Sequence, residues 1–398
     1  MKTQEFFVTC PQGLAPLLYE ELQQLGVNRL KATETGVQFF GTLVDAYRVC
    51  LWSRLANRVL LLLTTLDALN ADMLYRNVKQ ISWSEHICAD GSFVIDAHGT
   101  NEKLIHTQFT AQKIKDAIVD QFREKYLERP NVDKQDPDVR INVWVRRETA
   151  VVSIDLSGES LHKRGYRTLT GVAPLKENLA AALLYRCQWP TVFNEPDIAF
   201  VDPLCGSGTL VIEALLMAAN IAPGLQRSFG FERWLQHDAA AWQQLKQEAE
   251  QKRQVGLAQV LPKFIGYDTS ADAIALAQQA ANQLGIESYL EFEQQDIAQL
   301  ENVTHCNKGL LLTNPPYGNR LNAHEDLVPL YQTIAQHARE NFMAWRLGIF
   351  TGSPDFCSKI GIRPYKKYRF LNGDLPCQLL LYEVIPEYFS STSDFRLS

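Results

Sequence analysis

The chain contains neither a CxxC pair nor a cysteine–histidine cluster; its eight cysteines lie scattered at 10, 50, 88, 187, 205, 306, 357 and 377. This spacing argues against structural zinc and against a disulfide framework, and it fits reduced thiols in a cytoplasmic protein. Long apolar runs are missing too. Runs such as Val59–Leu63 fall far short of the roughly 20 residues that a membrane helix needs. The opening residues also lack the basic start, apolar core and small-residue site of an export signal. Positive charge is not in excess, because the net charge is −6. Any affinity for a polyanion must therefore come from local clusters. No internal repeat is evident.

Two local basic clusters include aromatic residues: HKRGYR at His162–Arg167, and the acid-free KIGIRPYKKYR at Lys359–Arg369. Tyr166, Tyr365 and Tyr368 within them suit base stacking beside phosphate contact. A third cluster, Arg140–Arg147, holds three arginines. At 398 residues with 46% hydrophobic and 21% charged content, the chain should form two or three globular domains with sizeable cores.

The first 155 residues mix strands and helices. EFFVTC and GVQFFG flank a helix over Gly13–Leu25 that stops at Gly26. Thr110–Tyr126 is amphipathic, with Ile114, Ala117, Ile118, Gln121 and Phe122 on one side. VRINVWV and AVVSIDL alternate as neighbouring strands. No catalytic cluster is visible in this α+β half. A glycine-bearing polar break at Ser157–Pro174 leads to the helix KENLAAALLYRC. From Asp197 the pattern becomes strand then helix, repeatedly, which implies a parallel sheet covered on both faces. A helix is expected around Leu327–Asn341, a polar helical insertion at Phe229–Pro262, and an antiparallel hairpin around NGDLPC near the end.

Within that second half, IAFV runs into DPLCGSGTL at Asp202–Leu210. The turn lacks the GK[ST] of a phosphate-binding loop. It also lacks GxGxxG, since Val211 stands where a third glycine belongs, and no acid sits about 20 residues on for a dinucleotide ribose. Asp202, Asp268 and Asp296 each end or follow a candidate strand, so all three can face one crevice at the carboxyl ends of the strands. Three such acceptors suit a ligand with a cationic amino acid end, a ribose diol and an adenine amine, which describes S-adenosylmethionine. Pro203, Cys205, Gly206, Ser207, Gly208 and Thr209 complete this donor loop.

A second motif, NPPYG at Asn314–Gly318, follows the apolar run GLLLT. An exocyclic base amine is a poor nucleophile because its lone pair is delocalised into the ring. The Asn314 side-chain oxygen and the Pro315 carbonyl can accept its two hydrogens and direct the lone pair at a methyl sulfonium. Pro315 and Pro316 stiffen the backbone, and Tyr317 is expected to stack on the base. Such catalysis rests on orientation and electrostatics.

With DPLCGSGT and NPPYGNRL go LWSRLANR at 51–58, ERPNVDKQDPDVRINVWV at 128–145, DLSGESLHKRGYR at 155–167 and GVAPLKENLAAALL at 171–184. Over almost its full length the chain resembles the THUMP-containing ribosomal RNA guanine-N2 methyltransferases, most closely those acting on 23S rRNA. The resemblance implies an α/β fold: a Rossmann-like class I methyltransferase domain, with a mostly parallel seven-stranded sheet and a C-terminal antiparallel hairpin, preceded by an α+β ferredoxin-like and THUMP RNA-binding region. The implied divisions are a ferredoxin-like subdomain over 1–50, THUMP over 51–157, linker helix and methyltransferase domain over 158–390, and a tail over 391–398. It also implies that Asp268 meets the ribose, Asp296 the adenine amine, and Asn314–Tyr317 the target guanine.

Arg164, Tyr166, Arg167 and Lys176 are expected to join RNA-binding and catalytic parts, with Lys366 and Lys367 as further RNA contacts. The expected partner is RNA, most specifically 23S rRNA or a large-subunit precursor, met by a cytoplasmic monomer without metal. A tRNA guanine-N2 methyltransferase shares the chemistry, a DNA adenine-N6 methyltransferase shares NPPY without explaining the first half, and a non-catalytic RNA-binding assembly factor is a third reading. Fused relatives continue into a second methyltransferase, so the chain is either a stand-alone relative or part of such a fusion.

Overall fold

The computed structural model describes residues 2–167, 175–317, 327–355, 360 and 362–386. Gly318, residues 168–174 of the break before Lys176 and the expected tail at 391–398 lie outside them. The chain divides into two compact units, one made of residues 1–10, 18–161 and 227–247, the other of 11–17, 162–226 and 248–398.

In chain order the elements of the first half are β1 (Gln4–Thr9), α1 (Ala15–Gln24), β2 (Lys31–Ala32), β3 (Gly36–Gly41), α2 (Leu43–Trp52), β4 (Arg58–Asp67), α3 (Ala71–Val78), β5 (Ser92–His98), α4 (Thr107–Tyr126), β6 (Asn131–Val132), β7 (Val139–Arg146) and β8 (Thr149–Asp155). The strands form one eight-stranded sheet in the order β2-β3-β1-β4-β8-β7-β5-β6. Local chemistry sets several boundaries. Thr42 and Asp45 form a reciprocal capping box that starts α2. Period-two burial along β7 puts Val139, Ile141, Val143 and Val145 in the core. On α4, Ile114, Ala117, Ile118 and Phe122 are buried as the helical spacing predicts.

The second half continues with α5 (Glu177–Arg186), α6 (Trp189–Val192), β9 (Ile198–Asp202), α7 (Thr209–Ala218), α8 (Ala239–Leu257), β10 (Lys263–Asp268), α9 (Ala271–Leu284), β11 (Glu291–Gln294), β12 (Lys308–Thr313), α10 (Val328–Asn341), β13 (Arg346–Thr351), β14 (Lys366–Asn372) and β15 (Leu375–Glu383). Its sheet has seven strands ordered β11-β10-β9-β12-β13-β15-β14. The first five strands pair in parallel, and β15 and β14 add antiparallel. All five residues of β9 are buried, as befits a strand covered on both faces. Ser270 caps α9 through Ala273 N–H, and Gly285, at φ 63°, ends it. Among the described residues, no helix is long and apolar enough to cross a membrane.

The expected helical insertion at Phe229–Pro262 forms α8, but its first part packs into the first unit. Residues 227–247 belong to the first unit, and four aromatic rings anchor this part of the segment while much of it is exposed. Phe231 stacks on Tyr47 at 4.2 Å between centroids. Trp234 stacks on His86 and donates its indole N–H to His86 Nδ1 at 3.2 Å. Phe229, Phe231, Trp234 and Trp242 are all buried. Gly158 and Gly230 let the backbones meet, since a Cβ on Gly230 would lie 2.8 Å from Gly158 N.

Candidate active site

Strands β10 and β11 extend the second sheet to one side of β9, and β12 and β13 to the other. The order therefore reverses between β9 and β12, which in an open α/β sheet opens a crevice beyond the strand ends. Register sets Leu311 beside Val201. Asp202 lies one residue past that level and Asn314 three, so both motifs leave adjacent strands at the same edge.

The donor loop is tied to β10 by its own backbone. Cys205 N–H donates to the Tyr267 carbonyl at 2.8 Å, and Gly206 N–H donates to Asp268 Oδ2 at 2.9 Å. Asp268 Oδ1 also accepts Ser270 N–H at 2.9 Å. Gly206 and Gly208 both have positive φ but do different things. Around Gly206, at φ +54°, there is nothing within 4 Å of a would-be Cβ, so a ligand can approach the bare backbone. At Gly208, φ +74°, a Cβ would lie 2.8 Å from the Phe292 ring and 2.9 Å from Ala277. That glycine serves close packing of loop against sheet and helix. Pro203, Cys205 and Thr209 are buried, while Ser207 is partly open. Burial pushes the Cys205 thiol well above its ordinary value, so it packs as a neutral side chain.

The three acids form a gradient of burial: Asp202 buried, Asp268 half-buried and Asp296 exposed. Burial, reinforced by the charge of Asp268, pushes Asp202 up to about 7, against the opposing influence of the Leu204 amide. Leu204 N–H donates to Asp202 Oδ1 at 3.1 Å. Asp296 caps a short turn by accepting Ala298 N–H at 2.8 Å.

On the other side of the crevice, Asn314 Oδ1 is buried and has no hydrogen-bond partner among the described residues. An acceptor taken from water without a partner costs about 1–3 kcal/mol. Its natural complement is a ligand N–H. Pro315 is buried and Pro316 half-buried. Tyr317 departs from expectation. Its ring is 2% exposed and edge-on to Phe350, and its hydroxyl accepts from Asn372 Nδ2 at 3.0 Å. The ring is thus enclosed in this structure, where it braces the motif against Phe350 and Asn372.

Of the residues expected to touch RNA, two are buried and a third is half-buried. Arg164 and Tyr166 are 2% and 1% exposed. Arg164 Nε reaches Glu213 Oε1 at 3.4 Å. Arg167 pairs with Glu177 at 3.1 Å, and its Nη2 donates to the Thr209 hydroxyl at the start of α7. Burial raises the Glu177 carboxyl, with Arg167 opposing. Arg167 thereby ties α5 to the start of α7, and these pairs matter because an unpaired buried charge is far costlier than a paired one. Glu213 and Asn372 escaped the sequence reading. A lone carboxylate inside the apolar run LVIEALLMA was the signal for the first. Lys176, Lys366 and Lys367 are exposed as expected. Lys366 and Lys367 lie on β14, at the sheet's edge, with exposed Arg369 beside them. Among the described residues no cluster of potential metal ligands occurs.

Comparison with known proteins adds three family matches: an RMKL-like methyltransferase domain over residues 164–380, a THUMP domain over 68–155, and the RlmL ferredoxin-like domain over 5–60. The ribosomal RNA large subunit methyltransferase K/L of Syntrophotalea carbinolica is 46% identical over 97% of this chain and 54% of its own length. The chain thus spans about half the length of the curated relatives it matches. A crystal structure of a predicted N6-adenine-specific DNA methylase from Listeria monocytogenes superposes with a TM-score of 0.83 at 30% identity, covering 96% of each chain. A protein assigned as a methyltransferase and solved in complex with SAH gives 0.83 at 28% identity, covering 96% of this chain and 98% of that one.

Proposed function

The chain belongs to the RMKL-like methyltransferase family, and from that premise we propose that it methylates the exocyclic N2 of a guanine in 23S ribosomal RNA, using S-adenosylmethionine as donor. The observation that carries the acceptor side is the buried Asn314 Oδ1, without a partner among the described residues, at the switch point one strand away from the donor loop. The SAH bound by a relative of matching length supports the donor. The name of the Syntrophotalea relative supports ribosomal RNA as substrate.

The residues present fit that donor. Open space at Gly206 admits it to the backbone, Asp202 suits its ammonium, Asp268 its ribose hydroxyls and Asp296 its adenine amine. When bound, S-adenosylmethionine supplies a methyl group made electrophilic by its sulfonium. The chain's own residues do the rest by orientation. Asn314 Oδ1 and the Pro315 carbonyl accept the two hydrogens of the amine and turn its lone pair out of conjugation. Held in a dry site, these acceptors also stabilise the positive charge that develops on nitrogen, and the surplus proton leaves to solvent. Tyr317 and Asn372 keep the clamp in place.

A guanine must leave its stack to reach Asn314, which costs a few kcal/mol. Backbone contacts along the rim offset that cost, from Lys176 and from Lys366, Lys367 and Arg369 on the edge strand. The RNA-binding role of residues 51–157 and a monomeric, cytoplasmic enzyme complete the proposal.

The test is methyl transfer from labelled S-adenosylmethionine to total RNA lacking the modification, with nucleoside analysis of the separated fractions. N2-methylguanosine in 23S rRNA is the expected result. Label in tRNA would move the substrate and keep the chemistry. N6-methyladenine in DNA would overturn the reading in favour of the activity named for the Listeria neighbour. No label in RNA, DNA or a precursor particle would leave a binding role alone.

A further inference from the structure

The arginine cluster at 140–147 takes no part in the reaction proposed above, yet it surrounds an unusual side chain in the first unit. Trp144 is 40% exposed, whereas Trp83, Trp189, Trp234, Trp242 and Trp345 are at most 2% exposed. The alternation of β7 turns Val143 and Val145 inward and Asn142, Trp144 and Arg146 outward. In register, Trp144 lies beside His98 of β5 and Val151 of β8.

The ring is held from one edge. A Cβ on Gly99 would lie 2.9 Å from Trp144 Cδ1 and 2.1 Å from the Val145 carbonyl, so bare glycine backbone is what fits there. Asn101 locks the loop that follows. Its side-chain amide donates to the carbonyls of Ala68 and Arg147, both at 2.8 Å, and its Oδ1 accepts Leu104 N–H at 2.7 Å. That fastens Lys103 close to the β7–β8 turn. Lys103, Arg146 and Arg147 are exposed, and their side chains have no polar partner among the described residues. They outnumber Glu102 and Glu148, the acids of the same two loops.

We propose that Trp144 is a stacking platform for an unpaired base of the RNA substrate, with Lys103, Arg146 and Arg147 meeting the flanking phosphates. This rests on the RNA reading above but names a surface on the other unit. An exposed flat ring beside cations, a histidine and an asparagine matches a base and its backbone. The three cations beside it favour a polyanion over a protein partner. Every base has a π-face, so binding should tolerate sequence and discriminate against duplex.

The experiment titrates the full chain with a ten-nucleotide single-stranded RNA and with a blunt RNA duplex, following tryptophan emission and the anisotropy of the labelled RNA. Single-stranded RNA should quench the wild-type emission, and duplex should not. Trp144→Ala should abolish the quench and weaken single-strand binding roughly 5- to 100-fold, while Trp144→Phe keeps most of the affinity. Melting curves of both variants should match wild type, since the ring is not in the core. Unquenched wild-type emission at saturating RNA, or wild-type affinity in Trp144→Ala, would overturn the platform. Quenching that survives while methyl transfer fails would instead overturn the catalytic reading alone.

Discussion

The Asn372 side-chain amide donates to the Tyr317 hydroxyl at 3.0 Å, so the last residue of the basic edge strand β14 is fastened to the segment that carries Asn314. Removing the bond with Tyr317→Phe should lower the turnover rate by roughly 3- to 10-fold, the value of one net hydrogen bond. Donor affinity should stay the same, because Asp202 and Asp268 lie on the other side of the crevice. Steady-state kinetics with a separate donor titration checks this; an equal loss in donor binding would mean the bond supports the whole site.

Asn314→Ala removes the acceptor itself. Turnover should fall about 10²–10³-fold, the usual effect of deleting one preorganised polar group at the reacting centre. The melting temperature should hold or rise, since Oδ1 has no protein partner to lose among the described residues. Unchanged turnover in a variant that binds donor normally would sink the clamp mechanism.

The two loop glycines should respond differently to alanine. Gly208→Ala forces a Cβ to within 3 Å of Phe292 and Ala277, so donor affinity and stability should both drop sharply. Gly206→Ala meets only the left-handed backbone penalty, about 1–2 kcal/mol, and should fold with a modest loss of donor binding. Calorimetry and thermal melts on the pair distinguish packing from access.

Asp202 has a raised pKa, about 7 in the fold against 3.8 for the ordinary group. The folded chain therefore holds this proton over a window where the unfolded chain has lost it. The resulting stability is fully present below about pH 4 and is lost as pH rises through about 7. Asp202→Asn should remove that slope from pH-dependent melts of the donor-free protein. Donor affinity should run the other way, tightening as pH climbs through 7, because an ammonium pairs with the ionised carboxylate. A donor affinity that is flat from pH 6 to 8 would separate Asp202 from the ammonium.

Buried and exposed cations should also part company. Arg164→Ala strands Glu213 in the interior and should cost about 3–5 kcal/mol, visible in urea melts, with RNA affinity of the folded fraction intact. Lys367→Ala with Arg369→Ala should do the reverse, weakening RNA binding and reducing its salt slope by about one for each phosphate that is no longer neutralised.

Much of the second unit was legible because its signals are local. The apolar run IAFV, the GxG turn and the helix after it need only neighbours in sequence, and so does the hairpin at Asn372–Leu375. Arg164 and Tyr166 misled for the opposite reason. HKRGYR resembles a solvated basic strip until Glu213, 49 residues on, is brought beside it. The Tyr317 ring likewise looked free until Asn372 and Phe350 closed over it. In the segment 229–242, Phe231 and Trp234 find their partners Tyr47 and His86 some 150 to 180 residues earlier, beyond the reach of any periodicity.

That same segment makes the two units inseparable in the order of synthesis. Tyr47 and His86 leave the ribosome early, but the rings that cover them arrive only with Phe231 and Trp234. A nascent chain must carry an unfinished first core through the making of β9 and the donor loop before it can close. Cutting the gene at residue 157, where its sequence motifs change, would leave one half with an open apolar scar and the other with a homeless aromatic loop.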